Sequence, residues 1–397
     1  MCTRMPSLYV HVPFCIQKCD YCAFYSHSLM ESPKGLISVY LEGLEIEMVK
    51  RQKDAPQGVS SLFIGGGTPT VLTETDLERL LAMIQRYFPM DLGVEKTMEG
   101  NPGTLTDEKI QLIRSFGINR FSLGIQSFSD QLLSAVGRVH TVKQAREAIR
   151  GLRKAGFKNL NLDLMFGLPA QDMRIWQASI EEALSYSPEH LSLYGLMLEE
   201  GTPLYEQYVT TTTLAFNKSS SVILQVDQLP DEDLQTEMYE WAVKRLRHEG
   251  YRQYETSNFA RPGYECQHNL GYWRGADYLG IGPGGVSCLN RVRWKNIEEV
   301  HAYKNLLFKG QSPLDKSGQE VLSLRVCMAE RMILGLRLEE GVQLKAFEND
   351  FGADLRDIYR DVLERYHNRD IFIIQGGYIC LNPKYSFVAN SILQEFV

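Results

Sequence analysis

The chain lacks the features that mark three broad classes of protein: long apolar runs, dense cysteines and an excess of positive charge. No segment approaches the ~18 consecutive apolar residues of a membrane-spanning helix. Eight cysteines in 397 residues are too few for a disulfide scaffold and favour a reducing compartment. A formal net charge of −7 argues against a non-specific nucleic-acid surface, so we expect no nucleic-acid partner. Because the chain starts with neither an apolar signal core nor an Arg- and Ser-rich transit segment, we expect the protein in the cytoplasm.

Three of the cysteines are grouped near the start of the chain. Cys15, Cys19 and Cys22 follow a C-x3-C-x2-C spacing and offer three thiolates on one loop. A cubane cluster contains four irons, so three protein ligands leave one iron open to another ligand. The spacing therefore predicts a [4Fe–4S] cluster. A zinc ion that uses His11 or His27 is the alternative, although the chain lacks the second C-x2-C half typical of structural zinc.

Short apolar runs alternate with amphipathic helical stretches over the first half of the chain. The predicted strands are Ser7–Val12, Ser60–Ile64, Lys96–Glu99, Arg120–Ile125, Leu160–Leu164 and Leu191–Tyr194. The predicted helices between them are Val39–Arg51, Asp76–Tyr87, Asp107–Phe116, Lys143–Ala155 and Ile175–Ser185. This alternation predicts parallel strands joined by helical crossovers, and therefore an α/β fold built on a partial (βα)6 barrel.

Polar or glycine-rich residues mark the ends of the predicted strands. The second strand leads into Gly65-Gly66-Gly67, and the later strands end near Glu99, Gln126, Asp163 and Tyr194. In barrels the chemistry gathers where strands end and the loops to helices begin. We therefore expect a single site on one face of the barrel.

A chain of this length suggests two or three domains. We assign residues 1–205 to the barrel, 206–230 to a Thr- and Ser-rich insertion or linker, 231–304 to an α/β extension and 305–397 to a C-terminal domain. The C-terminal domain has helical patterns followed by two strand-like segments around Gly376-Gly377, which predict a hairpin. This order predicts a small winged-helix-like domain.

Five motifs together carry a resemblance to a known family. They are the cysteine loop, Gly65-Gly66-Gly67-Thr68-Pro69, Glu99-x-Asn-Pro102, Gly124-Ile-Gln-Ser127 and Gly167-Leu-Pro169. With these motifs the chain resembles the radical S-adenosylmethionine (SAM) superfamily and, more closely, the oxygen-independent coproporphyrinogen III oxidase family. The resemblance covers nearly the whole chain, and the short form here is similar to the heme-chaperone branch of that family.

The resemblance implies that SAM binds the open iron through its amino and carboxylate groups. Cleavage of SAM by the reduced cluster would give methionine and a 5′-deoxyadenosyl radical, so the cofactors carry the hard chemistry. Glycines after the second strand let backbone groups approach the methionine end closely, since no Cβ intervenes. The SAM-site residues implied by the resemblance are Tyr9, Tyr21, Phe24 (through its backbone), Gly66, Gly67, Thr68, Glu99, Gln126, Arg138 and Asp163.

A second group, His268-Asn-Leu-Gly-Tyr272-Trp273, lies far downstream. Taken alone, a histidine beside two aromatic residues is more often a packing feature than a metal site. The resemblance changes this interpretation, because an H-N-x-x-Y-W signature is typical of the heme-chaperone branch and implies that His268 is the axial heme ligand. A neutral imidazole suits that role. Cys266 is an alternative thiolate ligand.

Gly280-Ile-Gly282-Pro-Gly-Gly285 formally matches the dinucleotide motif G-x-G-x-x-G. Pro283 removes an N–H group from the would-be phosphate cradle, and the following residues predict a strand or loop where the motif requires a helix. We therefore reject a dinucleotide site.

Two departures separate the chain from the decarboxylating oxidases of the family. Phe24 stands where those enzymes carry a further cysteine, and the short sequence before Cys15 contrasts with their N-terminal extension. We therefore expect a heme chaperone that binds a [4Fe–4S] cluster, SAM and heme and delivers heme to an acceptor hemoprotein. We expect a monomer or homodimer, with membrane contact only through the acceptor. The alternatives are a coproporphyrinogen III oxidase or a radical-SAM enzyme acting on another small molecule, so enzymatic activity is left open.

Overall fold

The computed structural model describes residues 5–210 and 229–397, so most of the predicted insertion at 206–230 lies outside the described residues. Six parallel strands form the centre of the fold in chain order. They are Ser7–Val12 (β1), Ser61–Gly66 (β2), Glu95–Gly100 (β3), Arg120–Gln126 (β4), Leu160–Phe166 (β5) and His190–Gly195 (β6). The predicted partial barrel is thereby confirmed.

Helices connect these strands. They are Leu36–Arg51 (α1), Glu74–Tyr87 (α2), Asp107–Ser115 (α3), Asp130–Ala135 (α4), Val142–Lys154 (α5) and Met173–Ser185 (α6). Several begin at a side chain that caps the first turn, such as Thr106 before α3 and Thr141 before α5, and such caps fix the register of the helix start. The short helix α4 was not among the predicted helices.

The later part of the chain extends the same sheet at both edges. Its strands are Arg252–Gln253 (β7), Asn258–Ala260 (β8), Tyr278–Ile281 (β9), Val286–Leu289 (β10), Val292–Asn296 (β11) and Leu314–Val321 (β12). Among the described residues the sheet has twelve strands in the order β12-β11-β10-β9-β1-β2-β3-β4-β5-β6-β8-β7. Strand β9 pairs parallel to β1 and is a seventh parallel strand, which the sequence analysis did not predict.

Three helices accompany these strands: Glu232–His248 (α7), Gln267–Trp273 (α8) and Val300–Phe308 (α9). The main core lies between the sheet and the outer helices. On β1, Leu8 and Val10 are fully buried in this core. Tyr9 and His11 point to the opposite face, the interior of the barrel, because successive side chains of a strand alternate.

The C-terminal region has its own small core, which includes Met332, Phe347 and Phe396. Its helices are Leu324–Gly335 (α10), Leu344–Phe351 (α11), Leu355–Ile358 (α12), Arg360–Tyr366 (α13) and Ala389–Leu393 (α14). Its strands are Val342–Gln343 (β13), Phe372–Gln375 (β14) and Tyr378–Leu381 (β15), paired in the order β13-β15-β14. The predicted hairpin turns at Gly376 and Gly377, both with positive φ. Across residues 5–210 and 229–397, no helix has the length and apolarity needed to cross a bilayer.

Candidate functional site

The cysteine loop follows β1 at the carboxyl-terminal end of the barrel. Phe14–Cys15 pairs with His27–Ser28, which closes the base of the loop. All three cysteines of the motif are half-buried and free. Thr68 Oγ1 donates to Cys15 Sγ at 3.5 Å, and Arg138 Nη1 donates to Cys19 Sγ at 3.4 Å. The loop therefore lies against the turn after β2 and against the segment that follows α4.

The described residues show no preformed site for a single metal ion at this loop. Within the described ranges, no three His, Cys, Asp or Glu side chains converge closely enough to hold one metal ion. Both histidines considered as zinc ligands have other partners: His11 Nε2 bonds the carbonyl of Tyr25 at 3.1 Å, and His27 Nε2 bonds the hydroxyl of Tyr25 at 2.6 Å.

The glycine turn after β2 packs tightly against the base of the cysteine loop. Gly66 has a φ of 102°, and a Cβ built there would lie 2.3 Å from the ring of His11. At Gly67 a Cβ would lie 2.6 Å from the carbonyl oxygen of Phe14. At both positions only glycine avoids these close approaches. The Gly67 and Thr68 N–H groups donate to the carbonyls of Val12 and Phe14 at 2.9 and 2.7 Å, which ties the turn to the base of the cysteine loop. The Gly66 N–H donates to Glu99 Oε2 at 3.1 Å.

Two acidic side chains, Glu99 and Asp163, face the barrel interior from neighbouring parts of the sheet. Burial, together with a smaller contribution from the nearby Asp163 carboxylate, raises the pKa of Glu99 to about 7. Burial also raises the pKa of Asp163, although Ser122 and Asn161 donate to its two oxygens at 3.1 and 2.7 Å. Buried carboxylates of this kind are stabilised by a ligand that brings hydroxyl or ammonium donors.

Arg138 and Gln126 complete the polar lining of this end of the barrel. Arg138 Nη2 donates to the carbonyl of Gly124 at 2.5 Å. Its Nε is buried and has no hydrogen-bond partner among residues 5–210 and 229–397. A guanidinium with one unfilled donor fits a carboxylate ligand. Gln126 ends β4 with a φ of 66°, an uncommon backbone conformation that follows a register shift in the strand and is concentrated at functional sites.

The three aromatic residues predicted for this site occupy different environments. Tyr9 lies inside the barrel, where its hydroxyl bonds His11 Nδ1 at 3.0 Å. Tyr21 packs against the apolar cluster of Leu132, Val136, Met165 and Leu168. Phe24 is 71% exposed at the rim of the cysteine loop, so only its backbone is placed to face the interior of the site.

His268 lies at the other end of the barrel. Its ring bonds Ser61 Oγ through Nδ1 at 2.9 Å and the hydroxyl of Tyr272 through Nε2 at 3.2 Å. Its backbone N–H donates to Glu95 Oε1 at 3.2 Å. Ser61 and Glu95 are the first residues of β2 and β3, so helix α8 covers the amino-terminal end of the strands. The sequence analysis did not predict this separation from the cysteine loop.

His268 is only 1% exposed, and burial lowers its pKa to about 3, with a smaller contribution from Arg120. The imidazole is therefore neutral, as axial ligation requires. Both ring nitrogens are occupied in this conformation, so ligation of iron requires Tyr272 or Ser61 to move. Cys266 is fully buried, and burial raises the pKa of its thiol to about 12. Cys266 is accordingly a core residue in this conformation and a poor source of thiolate.

Aromatic rings connect the two ends of the barrel. The ring of Tyr9 lies 6.2 Å from that of Phe63 and 6.4 Å from that of His268, and Phe63 lies 5.1 Å from His268. The sequence analysis missed Phe63 as a site residue and named His11 only as an alternative zinc ligand. Alternation along β1 and β2 could have indicated that they face the barrel interior with Tyr9.

The Gly280–Gly285 segment approaches the end of the cysteine loop, where a Cβ at Gly284 would lie 3.2 Å from the ring of Tyr25. Gly282 has a φ of 102°, and its N–H donates to the buried carboxylate of Glu47 at 2.8 Å. Strand β10, not a helix, follows the glycines, as expected when the dinucleotide site was rejected.

Comparison with known proteins places the chain in a family. The family model described as the radical SAM superfamily matches residues 9–183, and that of the HemN C-terminal domain matches residues 322–384. The solved structure of coproporphyrinogen III oxidase (HemN) from Escherichia coli has a TM-score of 0.82 at 22% identity and covers 99% of this chain and 90% of that chain. At this identity the likeness shows a shared fold.

Curated relatives are more similar in sequence. The heme chaperone HemW of Lactococcus lactis subsp. lactis (strain IL1403) is 34% identical over 397 residues, which cover 100% of this chain and 98% of that protein. Heme chaperone HemW of Bacillus subtilis (strain 168) is 33% identical, with 99% of each chain covered. Heme chaperone HemW of Escherichia coli (strain K12) is 38% identical over 280 residues, or 70% of this chain and 68% of that protein. Because relatives above 30% identity match essentially its whole length, the chain belongs to the radical SAM superfamily and, within it, to the heme chaperone HemW family.

Proposed function

We propose that the protein is a cytoplasmic heme chaperone that holds a [4Fe–4S] cluster and SAM, binds heme and passes it to an acceptor hemoprotein. The observation that carries the proposal is the arrangement at the carboxyl-terminal end of the barrel. Three free thiols lie beside a glycine turn and beside Arg138, whose buried Nε lacks a partner among the described residues. The relatives named heme chaperone HemW support the heme-binding part.

The donor set fits the cluster and SAM. Cys15, Cys19 and Cys22 would hold three irons, and the fourth iron would take the amino and carboxylate groups of SAM. When bound, the reduced cluster supplies one electron to the sulfonium of SAM. Arg138 is placed to pair with a carboxylate, and Glu99, with its pKa of about 7, is placed to accept hydrogen bonds from ribose hydroxyls.

His268 is the proposed heme ligand, and its surroundings define what ligation requires. To bind iron, the neutral imidazole must give up one of its two hydrogen bonds. The bond from Nε2 to the Tyr272 hydroxyl, at 3.2 Å, is longer and therefore weaker than the bond from Nδ1 to Ser61 Oγ at 2.9 Å. Tyr272 sits on the same short helix, so its side chain can turn without a change in the sheet. The exchange makes heme binding conditional on a local rearrangement of α8.

The alternative function is oxygen-independent coproporphyrinogen III oxidation, favoured by the fold shared with HemN. The exposed Phe24 at the rim of the loop, where a cysteine is expected in the decarboxylating enzymes, argues against it. Both functions use the same three thiols, so the cluster alone does not separate them.

One paired assay tests the proposal. The protein is reconstituted anaerobically with iron and sulfide, then titrated with hemin and, separately, supplied with coproporphyrinogen III, SAM and reductant. Stoichiometric hemin uptake, transfer of heme to an apo-hemoprotein and no protoporphyrinogen product support the chaperone. Catalytic decarboxylation without hemin affinity would establish the oxidase instead.

A further inference from the structure

A groove lies beneath the barrel, between helix α8, the first residues of β2 and β3, and the C-terminal region. Its volume is about 570 Å³. Pockets for small organic ligands and cofactors span about 300–1,000 Å³, so the groove is large enough for a cofactor-sized molecule. None of the SAM-site residues lines it, because it opens at the opposite end of the barrel from the cysteine loop.

Small residues make up much of the groove wall. Gly271 and Ala276 line the side formed by α8 and the turn after it, and Gly335, Gly341 and Ala346 line the side formed by the C-terminal region. These short side chains line a slot between α8 and the C-terminal region, to which Leu338 and Val342 add apolar surface.

Two guanidinium groups line the same groove. Arg274 Nη2 pairs with Glu340 at 2.8 Å, and Arg331 Nη2 pairs with Asp350 at 2.6 Å. A Cβ at Gly275 would lie 3.4 Å from Arg331 Nε, so Arg331 approaches the residue next to Arg274. The Arg274–Glu340 pair is about half exposed, and a partner of this kind is readily exchanged for another carboxylate.

The groove shares a wall with the surroundings of His268. Ser61, which bonds His268 Nδ1, and Glu95, which accepts the His268 N–H, both line it. His268 itself does not line the groove, so a ligand there lies on the Nδ1 side of the ring and is separated from it by Ser61.

We propose that this groove receives the heme, with the macrocycle between α8 and the C-terminal region and the propionates on Arg274 and Arg331. This inference rests on the proposed function and deepens it, because it names the surfaces that hold the porphyrin and the groups that anchor its carboxylates. At Arg274, heme binds by replacing the half-exposed Glu340 as the partner of the guanidinium group.

The first experiment blocks the groove. Ala346→Trp fills the slot from helix α11, and Lys345→Trp on the exposed neighbouring position is the matched control. Hemin titration of the full-length reconstituted protein, followed by absorbance, is expected to show at least a tenfold loss of affinity in Ala346→Trp and the wild-type curve in Lys345→Trp. Iron content and the thermal unfolding midpoint verify that both variants are folded.

The second experiment tests the proposed propionate-binding pair with two substitutions that are expected to change hemin affinity in opposite directions. Arg274→Ala removes a propionate partner and is expected to weaken hemin binding by about tenfold, since it removes a charge-assisted hydrogen bond. Glu340→Gln removes the competing carboxylate and is expected to strengthen binding severalfold. If the pair were only structural, both variants would shift binding in the same direction.

The outcomes separate this inference from the proposed function. If Ala346→Trp and Arg274→Ala both bind hemin with wild-type affinity, heme does not bind in the groove, and the proposed chaperone function is unaffected. If the wild-type protein does not bind hemin, both the heme-binding groove and the chaperone function are refuted. Loss in Ala346→Trp and Arg274→Ala together with a gain in Glu340→Gln supports the groove.

Discussion

Replacement of Gly66 by alanine is expected to destabilise the protein through two separable effects. The residue has a φ of 102°, a left-handed conformation that costs an L-residue about 1–2 kcal/mol. The added Cβ would also lie 2.3 Å from the ring of His11, and overpacking of this kind costs about 1–3 kcal/mol. We expect a loss of about 2–5 kcal/mol in the free energy of unfolding.

Two other glycines isolate these effects. Gly156 has a φ of 86° and no atom within 4 Å of an added Cβ, so Gly156→Ala is expected to cost only the backbone term of about 1–2 kcal/mol. Gly93 is not left-handed and likewise has open space, so Gly93→Ala is expected to be neutral or slightly stabilising.

Urea unfolding of the three cluster-free variants, followed by circular dichroism, measures the series. SAM binding to the reconstituted proteins is the second readout, and we expect only Gly66→Ala to weaken it. If Gly66→Ala loses no more stability than Gly156→Ala, the proposed tight packing of the glycine turn against His11 is refuted.

Three further predictions concern the two ends of the barrel. Cys19→Ala is expected to lose the cluster absorbance at about 400 nm, and iron and sulfide at wild-type levels in this variant would contradict the role of Cys19 as a ligand. Burial raises the pKa of Glu99 to about 7, so folding favours its protonated form and the cluster-free protein loses stability as the pH rises from 4.5 toward 7. Glu99→Gln is expected to flatten that loss in unfolding measured against pH, and an equally steep profile would disprove the assignment. Tyr272→Phe frees Nε2 of His268 and is expected to tighten hemin binding severalfold, whereas His268→Ala weakens it; equal affinities in absorbance titrations would exclude His268 as the ligand.

The barrel strands could be predicted well because their signal is local. Each observed strand from β1 to β6 begins and ends within two residues of its predicted position. Continuous apolar runs are typical of parallel strands buried on both faces, and helical periodicity separates them. Strand β9 was missed because its run, Tyr278–Ile281, is only four residues long and leads directly into a glycine motif.

Within the candidate site, too, the features with a local sequence signal could be predicted and those formed by long-range contacts could not. The three cysteines proposed as cluster ligands lie within eight consecutive residues, so their spacing alone predicts the chemistry. Arg138 donates to Cys19 across 119 residues of chain, and no local pattern reports that contact. Its proposed role came from family resemblance, and the structure adds the buried donor that makes the role physically reasonable.

The sequence by itself determined the parallel barrel and the cysteine loop, because periodicity and short-range spacing act through neighbours along the chain. Only the tertiary structure decided where His268 lies. Ser61 and His268 are 207 residues apart, and the addition of β9 beside β1 brings helix α8 under the barrel. The same packing places the C-terminal region against α8 and creates the groove. Long-range sheet pairing, which leaves no periodic trace in the sequence, therefore separates the cluster end from the proposed heme end.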